Sequence, residues 1–176
     1  MAFVAMEPPS LYTPENVRAE KIKIIDSIAI PTADQVADYC ALGQFAADGA
    51  EGAYHELGGV SPTSTTETYA ALKFHFDNWR WAGTPFYIRS GKKLAAKRTE
   101  VVVQFKPPAA NLFRKVPGFG GEAPNRLVIE IAPKERFNLR FEVKVPGFGL
   151  RGANVNMQLD YADHFKAEPV EAYGPL

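Results

Sequence analysis

An α+β fold built on a large, mainly antiparallel sheet with flanking helices is what this 176-residue sequence predicts. Two observations carry the prediction. Near the start lies a capped helical segment with an apolar stripe, and from Thr65 onward apolar residues recur at every second position. The strand-like runs follow one another through short or polar connections, without the intervening helices that a parallel sheet requires.

The opening "MAFVAMEPPS" reads as the end of an element that begins upstream. "LYTPENVRAEKIKIIDSI" follows as a helix: Thr13 suits the N-cap, Pro14 the first helical position, and Glu15 the positive end of the helix dipole. Val17, Ile24, Ile25 and Ile28 supply its apolar stripe, and Pro31 stops it. Residues 41–64, rich in Gly, Ser, Pro and Ala, read as a short strand around Leu42 to Phe45 and then a long loop. In the next strand Thr66, Thr68, Ala70, Leu72, Phe74 and Phe76 share the drier face. "DNWRWAGTP" turns the chain, and "FYIR", "TEVVVQF", "NRLVIEIAP", "RFNLRFEVKV" and "VNMQLDYAD" are the strands that follow. "KVPGFG" occurs at 115–120 and again at 144–149, but the flanks differ, so two similar Pro-Gly turns are expected rather than a repeat.

Composition narrows the function. Twenty Lys and Arg balance twenty Asp and Glu, so no overall field draws the chain to nucleic acid or to an anionic membrane. One cysteine, Cys40, rules out an internal disulfide framework and fits a reducing cytoplasm. No apolar run approaches membrane-spanning length, and no basic residue precedes the first apolar run as in a signal peptide.

Positive charge therefore matters only locally. Lys92, Lys93, Lys97 and Arg98 fall within seven residues, in the connection between "FYIR" and "TEVVVQF". Such a loop can present several ammonium groups to phosphate or sugar oxygens, with Gly91 letting backbone approach a ligand. A solvated turn is the alternative. The Gly-rich spacing of an NTPase phosphate loop is absent. The tryptophans on either side of Arg80 suit aromatic packing, with base stacking or cation binding as the other reading. His55, His75 and His164 lack metal-ligand spacing, and Cys40 reads as a small buried residue. No nucleophile triad and no dinucleotide fingerprint can be assembled, so no catalytic residue and no metal ligand is assigned.

"VAMEPP", "VRAEKIKIIDSI", "GQF", "TETYAALKFHFDNWRWAGTPFYIRSGKKLAAKRTEVVVQFK", "NRLVIEIAP" and "MQLDYADHF" stand in that order, and together they resemble the C-terminal domain of glucose-6-phosphate dehydrogenase. The resemblance implies an oxidoreductase of the pentose phosphate pathway in the cytoplasm, passing hydride from glucose 6-phosphate to NADP⁺ and yielding 6-phosphogluconolactone. It implies that Lys92 and Lys97 bind and orient glucose 6-phosphate, with Lys93 and Arg98 as steering or structural charges. Residues 1–12 would be the tail of an upstream Rossmann domain and residues 13–176 the C-terminal domain, cut short at both ends. None of the three histidines matches the family's catalytic base, so the isolated chain is expected to be inactive. The dinucleotide would be held mainly by the upstream domain. A second, structural NADP⁺ is not expected: Arg89 and Arg98 suit that site, but Val102 and Glu130 stand where it uses arginines. Ala132 likewise replaces a glutamine found near the substrate in some members. The implied partners are glucose 6-phosphate and further copies of the chain, in a homodimer or homotetramer formed through the sheet. A stand-alone, non-catalytic sugar-phosphate-binding or dimerisation module is the alternative.

Overall fold

The computed structural model describes residues 1–49, 52–119 and 124–166. Residues 50 and 51 of the expected long loop, Gly120 of the first "KVPGFG", and the closing "EAYGPL" lie outside them. The chain divides into two compact units, Met1–Leu94 and Ala95–Leu176. Both are antiparallel-sheet units with few helices, so the α+β expectation holds, and the strands are shared between two sheets.

The first unit contains α1 (Ala2–Ala5), α2 (Pro14–Asp26), α3 (Val36–Tyr39), β1 (Cys40–Gly43), β2 (Tyr69–Phe74) and β3 (Phe86–Gly91), with sheet order β1-β2-β3. α2 starts as its sequence dictates: the Asn16 N–H donates to Thr13 Oγ1 at 3.3 Å, Pro14 occupies the first turn, and Glu15 follows. It ends at Asp26, earlier than Pro31 would require. The chain leaving it prefers strand pairing. Ile28 bridges Phe76, the Ala29 N–H donates to the His75 carbonyl at 2.9 Å, and Ile28 packs on the core from outside the helix. Val17 and Ile24 are buried, whereas Ile25, about a hundred degrees around the helix from Ile24, is exposed.

β2 likewise begins four residues later than the alternating pattern suggests. Residues 61–66 satisfy their backbone through side chains: the Thr66 N–H donates to Ser64 Oγ, the Thr63 N–H to Ser61 Oγ, and the Gln44 side-chain amide to the carbonyls of Ser64 and Thr66. Short hydroxyl side chains compete with ladder bonds in this way. The core gathers Ala5, Ile24, Phe74 and Phe76, with Trp81, Phe86 and Ile88 packed against them. The Phe86 ring meets Phe76 edge-on at 4.7 Å and Trp81 at 5.0 Å, and the Trp81 Nε1–H donates to the Ala5 carbonyl at 2.8 Å. Removing side chains of this size from water stabilises by about 1.5–3 kcal/mol each. Of the two tryptophans, then, Trp81 packs as expected and Trp79 is fully exposed. Cys40, expected to be buried, is half-buried at the start of β1, which lies at the edge of its sheet.

The second unit contains β4 (Thr99–Gln104), β5 (Arg126–Ala132), β6 (Arg136–Lys144), β7 (Gly152–Asp160) and α4 (Tyr161–Phe165), with sheet order β4-β5-β6-β7. Registers align apolar residues into rows, Val103–Leu127–Leu139–Met157 and Val101–Ile129–Phe137–Leu159, on one face. The other face carries a charged row, Glu100–Glu130–Arg136–Asp160. The apolar rows are only partly covered, with Met157 62% and Leu159 41% exposed. The two "KVPGFG" turns are used differently. Gly118 lies backbone to backbone with Gly152, whose N–H donates to the Pro117 carbonyl at 2.9 Å, while Lys144 Nζ closes its own turn on the Gly147 carbonyl at 2.8 Å.

Candidate functional site

The basic connection starts where β3 ends. Gly91 pairs with Tyr69, the first residue of β2, and the Lys92 N–H extends the ladder one step further by donating to the Thr68 carbonyl at 2.8 Å. A Cβ on Gly91 would stand 2.8 Å from the Tyr69 ring and 3.3 Å from the Thr68 carbonyl oxygen. The glycine therefore makes room for Tyr69 and the strand beside it. Lys93 then takes a left-handed conformation, φ 55°, which turns the chain out of the strand direction.

Thr68, which the sequence placed only as one residue of a strand face, is bonded three ways. Its N–H donates to the Gly43 carbonyl at 2.9 Å, its Oγ1 accepts from the Phe45 N–H at 2.8 Å, and its carbonyl accepts from Lys92. The Phe45 ring, set edge-on against Tyr54 at 5.7 Å, lies 5.9 Å from the Lys93 ammonium. Neither charge nor periodicity marks such a residue, because its role depends on which backbone groups the fold brings beside it.

The four basic residues thus differ in what holds them. Lys93 sits over Phe45, and Arg98 faces Glu100 at 3.5 Å within the second unit. Lys92 and Lys97 are exposed, and among the described residues no ion pair or hydrogen bond engages either ammonium. The boundary between the units falls between Leu94 and Ala95, so Lys92 closes the first unit's sheet and Lys97 precedes the second unit's first strand.

Other titratable groups are held locally. His55 Nδ1 is 3.3 Å from Gln44 Oε1, His75 packs edge-on to Tyr39, and His164 packs edge-on to Phe165. Arg80 grips Glu7 through two hydrogen bonds, which hold the Glu7 carboxyl below its ordinary value. Glu130 lies 4.0 Å from Arg136, which also binds Asp160 at 3.0 Å. Among the described residues, no group of His, Cys, Asp or Glu is placed to hold a metal ion, and no helix is long and apolar enough to cross a membrane.

These features define a class, an antiparallel α+β fold whose loop after a sheet edge carries two lysine ammoniums that no described residue pairs. Comparison with known proteins identifies it. Residues 1–176 match the family "Glucose-6-phosphate dehydrogenase, C-terminal domain", and the chain belongs to that family. It is 41% identical along its whole length to glucose-6-phosphate 1-dehydrogenase of Aggregatibacter actinomycetemcomitans and 40% identical to that of Mycolicibacterium smegmatis. It covers 35% and 36% of those proteins, so the chain spans about a third of the curated relatives it matches. Among solved structures, it resembles a glucose-6-phosphate dehydrogenase in complex with its substrate glucose-6-phosphate, with TM-score 0.80, 30% identity, and coverage of 94% of this chain and 32% of the other. The Mycobacterium avium enzyme matches with TM-score 0.75 and 30% identity, over 96% of this chain and 33% of that one.

Proposed function

We propose that this chain is the sheet-bearing part of a cytoplasmic, NADP-dependent glucose-6-phosphate 1-dehydrogenase, and that Lys92 and Lys97 bind its substrate. The observation that carries this reading is the state of the loop. Two of its four cations are engaged by Phe45 and Glu100, while Lys92 and Lys97 are exposed and no described residue pairs their ammoniums. An unpaired ammonium offers three donors, and a hydrogen bond from it to a phosphate or sugar oxygen contributes about 1.5–3 kcal/mol. Because Lys92 is tied to the sheet through its own backbone, its side chain starts from a fixed point, and part of the ordering cost is met before substrate arrives.

The lysines orient the sugar so that its anomeric carbon faces the nicotinamide. NADP⁺ accepts the hydride from that carbon as the anomeric hydroxyl loses its proton. We assign the base for that proton, and the main dinucleotide contacts, to enzyme segments outside this sequence, with Met1–Tyr12 as the junction to them. No second dinucleotide is expected, on the positions that the family resemblance assigns to that site. Glu130 presents a carboxylate, an acceptor without donors, and Val102 no polar group, where a 2′-phosphate needs cations. Association into a homodimer or homotetramer through the sheet is supported by the half-covered apolar rows that end at Met157 and Leu159.

The experiment is NADPH formation from glucose 6-phosphate by the 176-residue chain and by its gene extended to the natural ends. Turnover by the extended protein alone is expected. Turnover by the 176 residues alone would contradict the assignment of the base. An inert extended protein would favour a stand-alone sugar-phosphate-binding or dimerisation module.

A further inference from the structure

We infer that Thr68 is a positioning residue for the substrate lysine, acting through its hydroxyl; the inference rests on the reading of Lys92 given above. Three hydrogen bonds meet at Thr68. Two of them, its N–H to Gly43 and its Oγ1 from the Phe45 N–H, tie it to the chain at the end of β1. The third, from its carbonyl to the Lys92 N–H, passes that anchorage to the first residue of the basic loop. A carbonyl held by its own residue on both sides cannot move independently, so the position of the Lys92 backbone follows the position of Thr68.

The hydroxyl matters more than the rest of the side chain. Without it the part-buried Phe45 N–H loses its acceptor, and an unsatisfied amide there must seek water or shift. Phe45 is also the ring beneath the Lys93 ammonium, so the same shift disturbs the left-handed residue that follows Lys92. The Thr68 hydroxyl therefore bears on both of the first two loop residues, on Lys92 through the carbonyl of Thr68 and on Lys93 through Phe45. A lysine side chain magnifies a backbone displacement at its tip, so a small backbone shift withdraws the ammonium from the substrate oxygen it binds. Because Thr68 acts through the hold of Lys92 on the substrate, the loss is expected in substrate capture and not in the hydride step.

The test uses the full-length enzyme and four variants: Thr68→Val, which keeps the side-chain shape and removes the hydroxyl, Thr68→Ser, which keeps it, Lys92→Ala, and Thr68→Val with Lys92→Ala. Thr68→Val is expected to raise KM for glucose 6-phosphate about tenfold, with kcat within about twofold of the parent, and Thr68→Ser to recover most of that loss. In the Lys92→Ala background the same change should raise KM less than about twofold, because the lysine it positions is gone. A tenfold effect that persists without Lys92, or a fall in kcat with KM unchanged, would show a general structural role and overturn the inference. If Lys92→Ala raises KM and Thr68→Val does not, the positioning role alone fails. If Lys92→Ala leaves KM unchanged, the substrate role of Lys92 and the role of Thr68 fall together.

Discussion

Arg136 and Asp160 face each other across the β6–β7 ladder and join through a 3.0 Å hydrogen bond between guanidinium and carboxylate. Glu130, one strand further along the same row, approaches the same guanidinium at 4.0 Å. The hydrogen bond from Arg136 holds the Asp160 carboxyl below its ordinary value, against a smaller opposing effect of burial.

A pH dependence follows. A carboxyl whose value is lower folded than unfolded contributes its full stability above the unfolded value, near 4, and loses it as pH falls through the lower folded value. Asp160→Asn should therefore lower the urea midpoint at neutral pH, and its difference from the parent should shrink below about pH 4. Midpoints measured between pH 7 and the acid limit check this; a difference that stays constant would refute the role assigned to the pair.

Gly118 is expected to be intolerant. Its φ is +80°, and an added Cβ would lie 2.0 Å from the carbonyl oxygen of Gly152, a backbone atom that cannot turn aside. A left-handed alanine costs about 1–2 kcal/mol on conformation alone. Gly118→Ala should therefore destabilise by more than about 2 kcal/mol, whereas Gly149→Ala, which meets open space, should be neutral or slightly stabilising. Chemical denaturation of the two variants compares them directly.

The two tryptophans should separate equally clearly. Trp81 packs against Phe86 and donates to Ala5, so Trp81→Ala is expected to cost about 3 kcal/mol or more. Trp79 touches nothing that shields it, and Trp79→Ala should stay within about 0.5 kcal/mol. Equal losses would mean that Trp79 is covered by a surface outside the described residues.

Much of this was legible in the sequence where local chemistry decides. Thr13, Pro14 and Glu15 set the start of α2, and the runs "NRLVIEIAP", "RFNLRFEVKV" and "VNMQLDYAD" mark β5, β6 and β7. What escaped was decided by pairing across the chain. α2 stops at Asp26 because Ile28 is drawn to Phe76, and β2 starts at Tyr69 because serine and threonine hydroxyls hold the backbone before it. The site divided in the same way. Charge clustering marked all four basic residues and the family resemblance singled out Lys92 and Lys97, but only the fold shows what engages Lys93 and Arg98. Gly91 serves Tyr69, and Thr68 carries the loop, for reasons no spacing in the sequence expresses.

We propose above that Lys92 and Lys97 bind glucose 6-phosphate. The most direct measurement is the steady-state KM and kcat for that substrate in the full-length enzyme carrying Lys92→Met or Lys97→Met, which keep the apolar stem and remove the charge. Loss of a charged hydrogen bond of about 1.5–3 kcal/mol corresponds to a rise of about 10- to 150-fold in KM, with KM for NADP⁺ little changed. If both variants keep the parent KM for glucose 6-phosphate, the loop binds no substrate and its two unpaired lysines are only solvated charges.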